Sequence, residues 1–374
     1  MIVAAGVDVN DDEVQVTVQI ALPQPSANGD SVTYTEVQGS GVTIAEALNE
    51  VNAKTGFYPK LPFCKLILLG ESCTKRQLFE LLSCFYRKNY SELTSLVAMC
   101  EGSAGEMLSL PASVNSETST AIQRVISDAL EKSANVSSVT LRDIAVMGYS
   151  ESEACFMPYV QAVVGGTSKS GNNGDAVGGE SAGQSNQKSS DGQPSENSQS
   201  SNSSGEQVEF VARKTALFSM GKFVGTIDEK QSFALNMLRA KVELAHLPFE
   251  AEGEHYTAGL KGNDGSVKLK VEKGVPKVNV NYNAKAQIRG YKCELQPEKV
   301  TYDDVVPPEI LSGCEKEMGE RFKSLLSFCA ENDCDVLGLK RALHKYNNKY
   351  YNTFKDNLYK KIEVEYKIKI KSLN

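Results

Sequence analysis

Three histidines and nine cysteines occur in the 374 residues, so acid–base, thiol or metal chemistry has few places to sit. His246 and His255, with Glu250, Glu252 and Glu254 between or beside them, are the donor types of a divalent-metal site. Their stretch has loop-like composition, however, and no His-x₃-His spacing sets two ligands on one helix face, so it reads as a solvated acidic loop. Cys329 and Cys334 form a C-x₄-C pair without a second close pair, which falls short of a zinc ligand set. Gly179-Glu180-Ser181-Ala182-Gly183 matches the G-x-S-x-G nucleophile pattern. That serine works only on a strained strand-to-helix turn, and the stretch around it has neither strand nor helix patterning. Gly39-Ser40-Gly41 imitates the start of a dinucleotide loop, lacks the third glycine, and reads as a strand-to-helix turn. Lys268, Lys270, Lys285, Lys367, Lys369 and Lys371 alternate with apolar residues, the pattern of a solvent-facing sheet side or a protected edge. No aromatic residues interleave with them as stacking platforms for nucleic acid. No catalytic, cofactor-binding or metal residue is nominated, and no cofactor is expected.

The bulk properties agree with this. A net charge of −7 and a pI near 5.3 argue against general nucleic-acid binding, which needs a local excess of Lys and Arg. No apolar run approaches the ~18 residues of a membrane span, and Met1–Gly6 is too short for a signal-peptide core, so a soluble polypeptide is expected. Cys64, Cys84, Cys100 and Cys329 lie among apolar residues, which predicts free, buried thiols.

The chain is divided by residues 165–206, nearly all Gly, Ser, Asn, Gln, Asp, Glu or Lys. So little apolar area cannot offset ordering entropy, and a Gly/Ser-rich coil reaching roughly 35 Å is expected there. It serves either as a tether between domains or as an insertion at the tip of a hairpin; the strand-like flanks favour the hairpin. The expected domains are 1–164, with a possible break near 110, and 207–374, with a possible break near 250.

Alternation predicts strands over Ile2–Val7, Val14–Ala21 and Ser31–Gln38, with a loop from Pro23 to Asp30. Thr43 and Glu46 signal a helix start and Gly56 a stop. A second helix is expected over Lys75–Arg87, and mainly helical pattern from Pro111 to Tyr149. After the divide, a hairpin turns at Gly221-Lys222 and Asp228 caps a helix. A long alternating strand runs through Val278–Ile288, helices follow Pro307-Pro308, and the alternating residues Ile362 to Ile370 close the chain. The fold class is therefore α+β: a mixed sheet with helices in the N-terminal block, and an antiparallel sheet with helices on one face in the C-terminal block.

Five stretches in order resemble the Ger(x)C family, the lipoprotein C subunits of nutrient germinant receptors. Ala5–Asp8 with Val14–Ile20 resembles the family's opening hairpin. Gly41–Ala47 and Leu61–Gly70 are similar to its helix and following strand. Ala216–Asp228 resembles its "AVFKxxKLVGxL" stretch, Asn332–Tyr346 its "DxxGFGxxxxxKY" helix, and Lys361–Lys371 its last strand. The resemblance implies a non-enzymatic spore germination role at the outer face of the spore inner membrane, beside integral-membrane receptor subunits of A and B type. It implies a lipid anchor on a cysteine upstream of Met1 and nominates no ligand contact. The alternative is an extracytoplasmic small-molecule-binding protein with a pocket between the two blocks.

Overall fold

The structure, a computed structural model, describes residues 1–26, 29–56, 61–87, 91–113, 117–164, 208–239, 242–292 and 305–373. The expected disordered linker or hairpin-tip insertion at 165–206 lies outside the described residues.

β1 (Ile2–Asn10) and β2 (Glu13–Ser26) form the opening hairpin, and β3 (Gly29–Gly41) pairs along the whole of β2. Of the loop expected at Pro23–Asp30, Pro23–Ser26 and Gly29–Asp30 are strand instead, with Pro23 opposite Val32 and Pro25 opposite Asp30. Beyond Ala21 the described pairing of β2 is with β3 alone, so prolines without an N–H cost no ladder bond on the other side. α1 (Ile44–Thr55) starts where the sequence signals it: Thr43 Oγ1 accepts from Glu46 N at 3.3 Å, and Glu46 Oε2 accepts from Val42 N at 2.8 Å. It stops at Gly56, whose φ of 71° suits a residue without a Cβ.

β4 (Leu66–Leu69), β5 (Leu96–Cys100) and β6 (Ala154–Val164) then add in parallel beside β1. Between β4 and β5, the helix expected over Lys75–Arg87 shrinks to α2 (Leu78–Leu82), preceded by a 3₁₀ turn at Glu71–Lys75. Leu78, Leu81, Leu82 and Phe85 still face the core. After Leu82 the backbone closes i→i+3 bonds, such as Phe85 N to Leu82 O at 3.0 Å, which end a regular helix. Three helices connect β5 to β6: α3 (Ala104–Ser109), α4 (Thr118–Ser133) and α5 (Leu141–Gly148).

β7 (Val208–Ser219) pairs antiparallel with β6, from Ala154 opposite Ser219 to Val164 opposite Val208, and β8 (Lys222–Ile227) pairs with β7. The first sheet thus runs in the order β3-β2-β1-β4-β5-β6-β7-β8, and two strands grouped by sequence position with the C-terminal block complete it. Its parallel centre is buried on both faces. Leu66, Leu68 and Ala98 meet Met107, Leu108, Ile122 and Ile126 on one side; Ile67, Leu69 and Val97 join Leu48, Val51 and Ile144 on the other.

α6 (Glu229–Arg239) leads into β9 (Leu244–Ala251), β10 (Glu254–Glu272) and β11 (Val275–Lys292). As the sequence suggests, Asp228 Oδ1 accepts from Gln231 N at 2.8 Å ahead of α6. α7 (Pro308–Glu331), α8 (Leu339–Tyr346), α9 (Tyr351–Phe354) and α10 (Leu358–Lys361) precede the closing strand β12 (Glu363–Ser372). The second sheet is ordered β12-β11-β10-β9 and is antiparallel from β9 to β11. β12 joins β11 in parallel, a departure from the all-antiparallel expectation. The helices between them carry the chain back to the end where β11 began, which a parallel neighbour requires. Helices cover one face of this sheet: Tyr282 is fully buried, with its ring 5.6 Å from that of Phe322 on α7. One continuous core runs from Val7 and Leu69 through Leu217, Ile227 and Phe233 to Tyr282 and Phe322, so the two sheets share a single apolar interior.

Candidate functional site

Among the described residues, those the sequence marks for chemistry do not converge. Gly179–Gly183 lie outside the described residues. Gly39 and Gly41 lie under α1, where an added Cβ would overlap Ala47 O and Glu46 Cβ. They let the helix pack directly on the strand end, leaving no cradle for a phosphate. His255 faces Glu250 across the β9–β10 pair, its Nδ1 3.2 Å from Oε1, on the exposed side. His246 faces Gly259, four residues along the ladder, which separates the histidines by roughly 13 Å. Among the described residues no three His, Cys, Asp or Glu side chains gather as metal ligands. Cys329 and Cys334 are both buried; burial pushes the Cys329 thiol well up and that of Cys334 to about 12. Neither supplies thiolate near neutral pH. The lysines named above all project from the open face of the second sheet.

Parallel sheets commonly bind ligands outside the carboxyl ends of their strands. Here those ends are occupied from within. Tyr159 donates its phenolic O–H to Glu71 Oε1, and Gln161 Nε2 donates to Glu101 Oε1 at 3.0 Å. Burial and then the Glu71 carboxylate push the Tyr159 phenol upward. On β1, Asp8 is buried and holds the start of α3: Oδ1 accepts from Ala104 N at 2.9 Å, while Oδ2 accepts from Gly105 N at 3.0 Å and Ser103 Oγ at 2.9 Å. A side chain at Gly70 would overlap Asp8 Oδ1, so that glycine makes room for the anchor.

The joint between the two blocks is the most elaborate polar region. Asn236 on α6 donates through Nδ2 to Ala134 O at 2.8 Å and accepts at Oδ1 from Ser137 Oγ at 3.0 Å. Thr215 on β7 links Ser137 (3.3 Å) to Ser232 (2.9 Å). Arg239 Nη1 donates to Val336 O, and its guanidinium lies 5.5 Å over the Phe156 ring. Asp335, 1% exposed, is the centre of the C-terminal side. Oδ1 accepts from Leu339 N and from Tyr359 O–H, both at 2.8 Å, and Oδ2 accepts from Lys340 N at 2.7 Å. Burial raises its pKa. Gly338, at φ 78°, turns the chain back so that α8 starts on this carboxylate. Sequence reading singled out neither Asp8 nor Asp335 for a role, although both lie in stretches that carry the family resemblance.

Beside the joint lies a cleft of about 620 Å³, lined from one block by Tyr149, Glu151 and Glu153 and from the other by Lys340, Tyr351 and Asp356. His344 Nδ1 reaches across to Glu151 Oε1 at 3.0 Å. Its walls are charged and polar. The arrangement can join two blocks and present a polar groove.

Residues 1–162 match the family model described as spore germination protein N-terminal domain, and residues 213–373 match that described as spore germination B3/GerAC like, C-terminal. A crystal structure of the GerBC protein is similar over 99% of this chain and 97% of that one, with a TM-score of 0.56 and 14% identity, a likeness of fold. No curated protein matches the sequence.

Proposed function

Since the chain belongs to the Ger(x)C family of spore germination proteins, whose two domain models together span most of it, we propose that it works as a non-enzymatic support within a nutrient germinant receptor. On this reading it is held on the outer face of the spore inner membrane by a lipid on a cysteine upstream of Met1. It docks there against the integral-membrane subunits of A and B type and passes or stabilises their response to nutrient. The observation that carries the reading is the joint. Asp335, Asn236 and Ser137 are buried and spend their hydrogen bonds on other residues of the chain, and one core spans both sheets. That is the construction of a rigid spacer whose working surfaces are on the outside.

No helix among the described residues is long and apolar enough to cross a membrane. A single lipid chain is a marginal anchor, so contacts with membrane subunits would supply the second attachment. Full-length protein expressed in a spore-former should fractionate with the inner membrane, and removing the upstream cysteine should release it or sharply lower the germination response. Unmodified protein in the cytosol, with germination unaffected by its deletion in a strain lacking redundant receptors, would sink the assignment.

The cleft beside Glu151 and Lys340 supports a second reading, direct binding of a small polar nutrient. Saturating ligand at 100 times its Kd would add about 2.7 kcal/mol of stability by mass action. A panel of nutrients that leaves the melting temperature unmoved removes this reading and leaves the first intact.

A further inference from the structure

Register brings three lysines into one row on the open face of the second sheet. Lys261 on β10 is opposite Lys285 on β11, and Lys285 is opposite Lys371 on β12. Lys369 stands in the next row opposite Asn283, and Lys367 in the row after that. All five are exposed. Among the described residues only Lys367 of these has a carboxylate within ion-pair distance, Glu365 at 3.4 Å. Like charges directly opposite on neighbouring strands destabilise a sheet, and nothing in the packing requires lysine there, since the helices cover the other face. β12 also sorts its charges: Glu363 and Glu365 lie at its start, Lys367, Lys369 and Lys371 at its end. Glu363 is compensated by Lys277 at 3.9 Å and Lys367 by Glu365, and Asp264 stands across Asn283 from Lys369, whereas among the described residues Lys261, Lys285, Lys369 and Lys371 have no carboxylate within ion-pair distance in a chain of net charge −7.

We propose that this lysine corner is a docking surface for an anionic phospholipid bilayer. A sheet face studded with single ammonium charges suits a planar layer of diffuse negative charge, whereas recognition of one carboxylate or phosphate in a fixed geometry favours the arginine fork. Tyr282 and Tyr366, beside the lysine rows, point to the helix side, where Phe322 and Lys323 meet them, so among the described residues these rows offer no stacking platform for single-stranded nucleic acid on the lysine side. The corner would set which side of the molecule rests on the membrane. The inference rests on the reading that the chain works at a membrane and is independent of the lipid.

The test is co-sedimentation of the 374-residue protein with vesicles of phosphatidylglycerol and phosphatidylcholine, against phosphatidylcholine alone, at low and at physiological salt. Wild type should prefer the anionic vesicles and lose them as salt rises. The triple variant Lys261→Gln, Lys285→Gln, Lys371→Gln should bind on the order of 100-fold more weakly, about fivefold per lysine. Lys65→Gln, Lys214→Gln, Lys222→Gln makes the same charge change on the first block and should bind as wild type does. Thermal melts of both variants keep folding out of the comparison. Wild type without preference for anionic vesicles, or a triple variant that binds them equally well, overturns the proposal. Lysine-dependent capture of heparin or of an acidic protein without vesicle binding also overturns it, in favour of a different partner. Germination of spores lacking the whole chain reads the receptor assignment separately, so either idea can fail without the other.

Discussion

Tyr359 donates its phenolic O–H to Asp335 Oδ1 at 2.8 Å, joining the helix just before the last strand to the start of α8 in a site closed to water. The same oxygen accepts from Leu339 N, and its twin from Lys340 N. Three donors therefore depend on one carboxylate. Asp335→Ala should cost about 3 kcal/mol or more, because buried donors lose their acceptor, and Tyr359→Phe about 1–2 kcal/mol. Urea unfolding measures both. Equal effects from Tyr359→Phe and an exposed substitution such as Tyr346→Phe would contradict the assignment.

Burial raises the pKa of Asp335 in the folded chain above the ordinary 3.8, outweighing its hydrogen bonds. A carboxyl raised in this way contributes stability that is fully present below the unfolded pKa and is lost as pH rises through the folded value. The stability of wild type relative to Asp335→Asn should therefore be greatest in acid and decline toward neutral pH. Unfolding curves of both proteins across that range decide it; a difference that grows with pH would mean the donors outweigh burial.

Asp8 and Gly70 should behave as one unit. Asp8→Ala leaves the N–H groups of Ala104 and Gly105 without their acceptor, at a cost of about 2–3 kcal/mol. Gly70→Ala drives a methyl into the same carboxylate and should cost about 1–3 kcal/mol. The double variant should be less destabilised than the sum, since the clash disappears with the carboxylate. Strict additivity would refute the shared mechanism.

Eight cysteines are free and buried, and burial pushes those at 64, 73, 314 and 334 to about 12. The ninth, Cys293, lies outside the described residues. Native alkylation near pH 8 should modify at most that one, and denatured protein all nine, as counted by mass spectrometry. Rapid native labelling of several thiols would contradict this packing.

Val164 and Val208 are the last partners of the β6–β7 pair. Replacing 165–206 by a short glycine-serine turn should therefore leave the thermal midpoint of folding nearly unchanged, because loop length enters closure entropy only logarithmically. Failure of the shortened chain to fold would assign the segment a structural role.

Features that depend on neighbours in the chain were legible from sequence. The Thr43–Glu46 cap, the stop at Gly56, the Asp228 cap and the alternation along β11 and β12 each rest on residues a few positions apart, whose hydrogen bonds and faces follow from local geometry. Where distant parts meet, the same reasoning ran out. The apolar stripe at Lys75–Arg87 correctly marked what is buried, but a hairpin carbonyl at Gly221 takes the N–H of Leu78, and the run closes as turns instead of a full helix. The parallel entry of β12 was decided by where α7 to α10 return the chain. Asp8 holding a helix some 96 residues away, Asp335 joined to Tyr359, and three lysines in one row on three strands exist only through tertiary register. Alternation in a strand states which residues share a face; which strand lies beside it is set by burial and pairing over the whole chain, and that pairing decides which charges become neighbours.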